Sequence, residues 1–307
     1  MTILFTHEDG VLHDPGPGHP ERIERLRQIW QIFEEAPFAD FPRGNVPLAS
    51  AEQLKRAHDA AYVDQLLALS VPEEGLAIDG DTFLSLRTIQ AARRAAGAVI
   101  AAVDAVMDGQ EKTAFIAMRP PGHHAEKSRA CGFCFFNNVA VGAAHALAQY
   151  NLSRLAIVDF DVHHGNGTQD IFWNEPKVFY ASTHQGGIFP GTGWEDEKGV
   201  GNILNVPLPG GTNGTMFRET YKKIIFPALD TFKPELLFIS AGFDAHRNDP
   251  LASLLLDTED FYWVTQELVK TAKRHAQGRV VSTLEGGYDL TALGQSVAAH
   301  VKALSGF

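Results

Sequence analysis

Apolar residues fall along this chain in two rhythms. Short, nearly unbroken apolar runs occur at Ile3–Thr6, Thr113–Met118, Leu155–Phe160, Val178–Ser182, Leu236–Ser240 and Val280–Leu284. Continuous rather than alternating apolarity predicts strands buried on both faces. Elsewhere the spacing becomes helical and predicts helices over Glu21–Glu34, Phe83–Met107, Asn138–Gln149, Met216–Leu229, Thr258–His275 and Thr291–Leu304. In the second of these, Phe83, Leu86, Ile89, Ala96, Val99, Val103 and Val106 share a face, and Asp108-Gly109 supplies a stop. Strand–helix alternation implies an α/β fold: a mainly parallel sheet covered on both sides, in three α/β/α layers. No repeat, low-complexity tract or linker divides the chain, so a single domain over residues 1–307 is expected.

Five of the predicted strands run straight into polar, glycine-rich segments. Thr113–Met118 leads to Arg119-Pro120-Pro121-Gly122-His123-His124. Leu155–Phe160 leads to Asp161-Val162-His163-His164-Gly165-Asn166-Gly167. Val178–Ser182 leads to Thr183-His184, Leu236–Ser240 to Ala241-Gly242-Phe243-Asp244-Ala245-His246, and Val280–Leu284 to Glu285-Gly286-Gly287-Tyr288. Open parallel sheets bind ligands at the carboxyl ends of their strands, so these segments should converge on one edge.

Composition narrows the picture without changing it. Of 307 residues 45% are hydrophobic and 21% charged, as in an ordinary globular chain. The formal net charge of −11 argues against nucleic acid as a partner and is compatible with a cationic substrate. Two cysteines, Cys131 and Cys134, give no disulfide framework. The N-terminal MTILFTHEDG lacks a basic region and a long apolar run, and no stretch approaches the roughly 18 apolar residues of a membrane span. A cytoplasmic protein with no membrane partner is expected; oligomeric state is left open.

The candidate chemistry lies in the loop segments. Asp161 and His163 are two residues apart, so in extended backbone they point to one side and can grip one ion. An isolated Asp-x-His is usually a turn or a cap, but the companion segments reverse that preference, and Asp244 is the best third ligand. Two carboxylates and one imidazole leave coordination open and suit a catalytic divalent metal. Zn²⁺ is the default, with Fe²⁺, Mn²⁺ or Co²⁺ as alternatives. His-His occurs twice, at 123–124 and 163–164, where random order would give about half of one such pair. One imidazole near a metal could take a proton from water and pass it to a leaving group. Tyr288 follows two glycines and could donate to an oxyanion. Cys131-Gly132-Phe133-Cys134 lacks the context of a redox or zinc motif, so packing beside the pocket is expected of it.

Together these segments resemble the histone deacetylase family of the arginase/deacetylase superfamily, in its class II-like or bacterial amidohydrolase form. RPPGHHA, DFDVHHGNGTQ, FPGTG, SAGFDAH and EGGYD stand in family order, from His19-Pro20-Glu21-Arg22 to Glu285-Gly286-Gly287-Tyr288. The resemblance implies the arginase/deacetylase fold and a hydrolase that removes acyl groups from lysine ε-amines of peptides or proteins. It makes Asp161, His163 and Asp244 the metal ligands and His123 and His124 the acid/base pair. Asp159 would orient and charge-stabilise His123, Asn166 would orient His124, and Tyr288 would polarise the scissile carbonyl. Phe133 and Phe189 would wall the acyl-lysine stem, with Gly132, Gly287 and Leu251 as further substrate-binding positions. Asp159, Asp161, His163 and Ser182 would lie near a monovalent cation, usually K⁺. Some members carry Asp at position 166. Asn adds no negative charge, so His124 should hold its proton less tightly than His123 and act as the general base.

Three alternatives are weighed. A two-manganese arginase-type site needs a carboxylate where Gly165 stands and Asp where His246 stands. An acetylated polyamine is the rival substrate, but Leu251 after Asp249-Pro250 favours peptide or protein acyl-lysine over an acidic gate. A non-catalytic acyl-lysine binding module would have lost the tyrosine, a ligand or the histidine pair, and none is lost. Glu21–Gln28 and Asp79-Gly80-Asp81 are expected at the pocket rim.

Overall fold

The computed structural model of the chain describes residues 1–306. Among the described residues nine strands form: β1 Thr2–Phe5, β2 Leu76–Ala77, β3 Phe83–Leu84, β4 Thr113–Ile116, β5 Leu155–Asp159, β6 Val178–Gln185, β7 Ile203–Leu208, β8 Leu236–Ala241 and β9 Val280–Leu284. Seven make one sheet in the order β1-β4-β9-β8-β5-β6-β7, and every neighbouring pair is parallel. Strands β2 and β3 form a separate antiparallel ribbon.

The unbroken apolar runs are explained by two cores, one on each face of the sheet. Ile3, Phe5, Ile116, Ile157, Tyr180 and Phe238 point to one side, against helices Thr88–Met107 and Asn138–Tyr150. Leu4, Phe115, Val158, Ala181 and Ile239 point to the other, against helices Ile23–Phe33, Thr258–His275 and Leu290–Ser305. Successive strand residues alternate faces, so a strand with helices on both sides needs an apolar residue at every position. Burying one such side chain contributes about 1.5–3 kcal/mol. The chain therefore has the three-layer α/β/α fold that the alternation implied.

The structure departs from the sequence reading at several places, of which three bear on the fold. The long helix begins at Thr88, because Phe83-Leu84 pairs with Leu76-Ala77 in the ribbon. The helix expected from Met216 starts at Gly214 and runs through a wider turn at Tyr221–Ile225 to Phe232. Strand β7 carries no apolar run, since Asn205 and Pro207 interrupt it. It survives because it lies at the sheet edge, where a proline costs no ladder bond on the open side.

Strands β4, β9, β8, β5 and β6 stand side by side, and these are the five whose loops are polar. Their carboxyl ends meet on one edge. Asp159 is the register partner of Ser182 on β6 and of Ser240 on β8.

Candidate active site

Two loops, those after β5 and β8, bring together Asp161, His163 and Asp244. All three are buried, and one donor atom from each lies within 4.8 Å of the others. The His163 Nδ1 atom is 3.2 Å from Asp161 Oδ1 and 3.1 Å from Asp244 Oδ2. Backbone amides fix the carboxylates. Asp161 accepts from the N–H of His163 at 2.9 Å and of Gly286 at 2.8 Å, and Asp244 accepts from the N–H of Val162 at 2.8 Å. Gly286 has to be glycine, because a Cβ there would collide with both carboxylates.

Charge makes the same point. Burial and the nearby Asp161 push the Asp244 carboxyl up to about 7. Burial disfavours the cationic form of His163, yet its bonds to Asp161 and Asp244 outweigh that and raise it to about 10. Two buried carboxylates this close need a positive partner. A divalent cation supplies one, and the donor set of one nitrogen and two carboxylates fits it.

The two adjacent imidazoles differ in their backing. His123 donates from Nδ1 to Asp159 Oδ2 at 3.0 Å, and Asp159 also accepts from the Tyr180 hydroxyl at 3.0 Å. Burial opposes a charge on His123, but Asp161 and Asp159 overcome it and lift it to about 10. His124 Nδ1 lies 2.8 Å from Asn166 Oδ1. The Asn166 amide nitrogen donates to Glu126 Oε1 at 2.7 Å, which turns its oxygen toward His124. The His124 proton therefore sits on Nδ1, and the Nε2 lone pair is free. Burial, then the charges of His123 and His163, hold His124 well below the ordinary histidine range. The ring centroids are 4.0 Å apart.

Above these groups is a pocket of about 220 Å³, lined by Pro20, Asp81, His124, Gly132, Phe133, His163, Phe189, Leu251 and Tyr288. The Phe189 ring lies 5.0 Å from that of His124, and the Phe133 ring 6.0 Å from that of Tyr288. Gly132 has φ +55°, and a Cβ there would strike the His124 ring. Cys131 and Cys134 are free and buried, hydrogen-bonded to each other's backbone across the Gly132-Phe133 turn. Burial pushes both thiols up, which disfavours the reactive thiolate form. Burial also keeps Tyr288 protonated, Arg25 working against it.

Gly287 stands outside the pocket lining; its carbonyl accepts from Arg25 Nε at 2.6 Å. Ser182 bonds to His184 Nδ1 at 2.8 Å, beside Asp159.

The rim expectation for Glu21–Gln28 holds for Arg22, Ile23 and Glu24, which line a cleft with Pro250 and Tyr288, but not for Glu21 and Arg25. Glu21 and Arg25 lie fully buried beneath the Tyr288 loop. Arg25 Nη1 donates to Glu21 at 2.9 Å and Nη2 to the Glu285 carbonyl at 2.5 Å, and its guanidinium lies 4.9 Å from the Tyr288 ring. Arg119 also binds Glu21 through two donors. In the sequence, Glu21 and Arg25 are spaced like any exposed helical ion pair, so no local signal sets them apart. Asp249 was missed as well. It accepts from the N–H of Tyr288 at 2.7 Å and of Leu251 at 3.1 Å.

Comparison with known proteins agrees with this geometry. The histone deacetylase domain model matches residues 19–304. The chain is 40% identical to the chloroplastic histone deacetylase 14 of Arabidopsis thaliana, over 94% of this chain and 73% of that one. It is 38% identical to the histone deacetylase-like amidohydrolase of Pseudomonas aeruginosa (94% and 77%) and 38% identical to a probable deacetylase of Archaeoglobus fulgidus (100% and 87%). The crystal structure of the HDA15 HD domain superposes with a TM-score of 0.92 at 33% identity, covering 100% of this chain and 91% of that one.

Proposed function

The chain belongs to the histone deacetylase family and is a hydrolase of the deacetylase/amidohydrolase kind, and we propose that it removes acetyl groups from the ε-amine of lysine in peptides or proteins with the help of zinc. The observation that carries this reading is the pocket. It has aromatic walls, Phe133 and Phe189, an apolar residue, Leu251, and polar lining groups from His163 of the ligand triad, His124 of the histidine pair and Tyr288. Such a slot suits an uncharged acyl-lysine stem and places the amide at these polar groups.

Asp161, His163 and Asp244 would hold the ion, which when bound supplies a Lewis acid that polarises the amide carbonyl and makes water more acidic. The His124 Nε2 atom, free and neutral, takes the proton as water attacks the carbonyl carbon. The Tyr288 hydroxyl donates to the oxygen that gains negative charge. His123, kept cationic by Asp159 and Asp161, stabilises that charge from beside His124. Protonated His124 then returns its proton to the leaving amine, so the C–N bond breaks to give acetate and free amine. Potassium beside Asp159 and Ser182 would tune the same strands.

A second reading, deacetylation of an acetylated polyamine, draws on Asp81. Its carboxylate lines the pocket and would attract a cationic tail. Acetate release from an acetyl-lysine peptide and from an acetylated polyamine, measured side by side, decides between them. Preference for the peptide is expected; preference for the polyamine overturns the lysine assignment. Silence on both, with tight binding, would make the chain a binding module.

A further inference from the structure

Glu285 directly follows β9 and is fully buried, yet it lines neither the pocket nor the ligand triad. Its Oε2 atom accepts two consecutive backbone N–H groups, from Gly122 at 2.7 Å and His123 at 3.1 Å. Its Oε1 atom accepts from the Ser240 hydroxyl at 3.3 Å. Its own N–H donates to the Ala241 carbonyl at 3.0 Å. One side chain thus ties the loop after β4 to the ends of β8 and β9. Gly122 and His123 donate to no backbone carbonyl among the described residues. Without Glu285, two buried N–H groups would be left unsatisfied. On its other side the His123 carbonyl is held by the N–H groups of Gly167 and Thr168, at 3.0 and 3.1 Å. The peptide that aims both imidazoles is therefore clamped from two directions, and Glu285 is the clamp on one of them.

We infer that Glu285 is a positioning residue that holds the backbone of the His123–His124 pair through hydrogen bonds, an inference that rests on the deacetylase reading. The hydrogen bonds carry the positioning role, and the negative charge, which comes after those of Asp161 and Asp159 in holding His123 cationic, is secondary to them. This separates two variants cleanly. In Glu285→Gln the amide oxygen can accept both N–H groups and the amide nitrogen can donate to Ser240 Oγ. Every bond survives and only the charge is lost. In Glu285→Asp the charge survives, but the side chain is one methylene too short to reach Gly122 and His123. A displacement on the order of 1 Å at catalytic groups costs roughly 100-fold in rate.

The experiment compares kcat, KM and backbone amide exchange in the wild-type chain and both variants. Glu285→Gln should keep kcat within about threefold, and Glu285→Asp should lose about 10- to 100-fold in kcat with KM little changed, because the pocket walls are untouched. Amide exchange at Gly122 and His123 should speed up in the Asp variant and stay slow in the Gln variant. An Asp variant as active as wild type, or a Gln variant that falls as far as Asp with its amides still protected, overturns the proposal. A wild-type chain that releases no acetate from any acetylated amine overturns the deacetylase reading instead, and the amide exchange still decides the role of Glu285.

Discussion

His123 and His124 are neighbours in sequence and nearly in ring contact, yet their surroundings oppose each other. Behind His123 stands a buried carboxylate, Asp159, with Asp161 3.8 Å from its other nitrogen. Behind His124 stands an amide, Asn166, itself turned by Glu126. Burial penalises a charge on both rings. What separates them is the sign and number of their charged neighbours, so one site holds a cationic and a neutral imidazole side by side. The lesson is that an orienting hydrogen bond and an orienting charge are different instruments, although both fix a tautomer.

The largest expected effect removes what both imidazoles serve. Asp244→Asn should weaken metal retention and lower kcat/KM by at least about 1,000-fold, with metal content measured on the same sample. Unchanged turnover with the metal gone would break the whole arrangement. Next, His124→Ala should cost about 10²- to 10⁴-fold in kcat, and His123→Ala distinctly less. The reverse order would exchange their roles.

A smaller change tests the amide alone. Asn166→Asp puts a carboxylate behind His124, so its pKa should rise. A base must be neutral to act, so the acid limb of kcat/KM should move to higher pH, by about one unit. A limb that stays put would show that Asn166 does no more than orient the ring.

The smallest effect isolates burial from charge. His300 is fully buried between Thr265 and Ser282, at 2.6 and 2.8 Å, and burial alone pushes it down to about 3. Below about 6.5 the unfolded chain takes a proton that the folded chain refuses. Its contribution to stability is therefore complete above that pH and is lost as the pH falls. Between pH 7.5 and 5 the loss from this group is about 2 kcal/mol. His300→Gln should flatten the pH dependence of unfolding by that amount, measured by denaturant titration at both pH values. An unchanged slope would mean that burial does not set this group, and the account of His124 would lose its first cause.

Much of the site was legible before the structure. The strands β4, β5, β8 and β9 stand out as apolar runs because both their faces are covered, and their loops carry the chemistry in plain order. Asp161 and His163 are readable as a pair because i and i+2 share a side in extended backbone. Strand β7 was invisible because an edge strand tolerates Asn205 and Pro207. Glu21, Arg25 and Asp249 were misread or unread because a buried polar residue has the same letters as an exposed one.

The sequence by itself determined which residues alternate with which, hence the parallel sheet, the family and the chemistry at each strand end. These follow from local periodicity and short motifs, which the chain carries whatever its neighbours are. Only the tertiary structure decided which polar groups are buried together. It set Asp244 within reach of His163 across 81 residues, Arg25 beneath Tyr288, and Asn166 behind His124 across 42 residues. Desolvation and pairing depend on distances between remote segments, and so do the charges that hold one histidine cationic and leave its neighbour neutral.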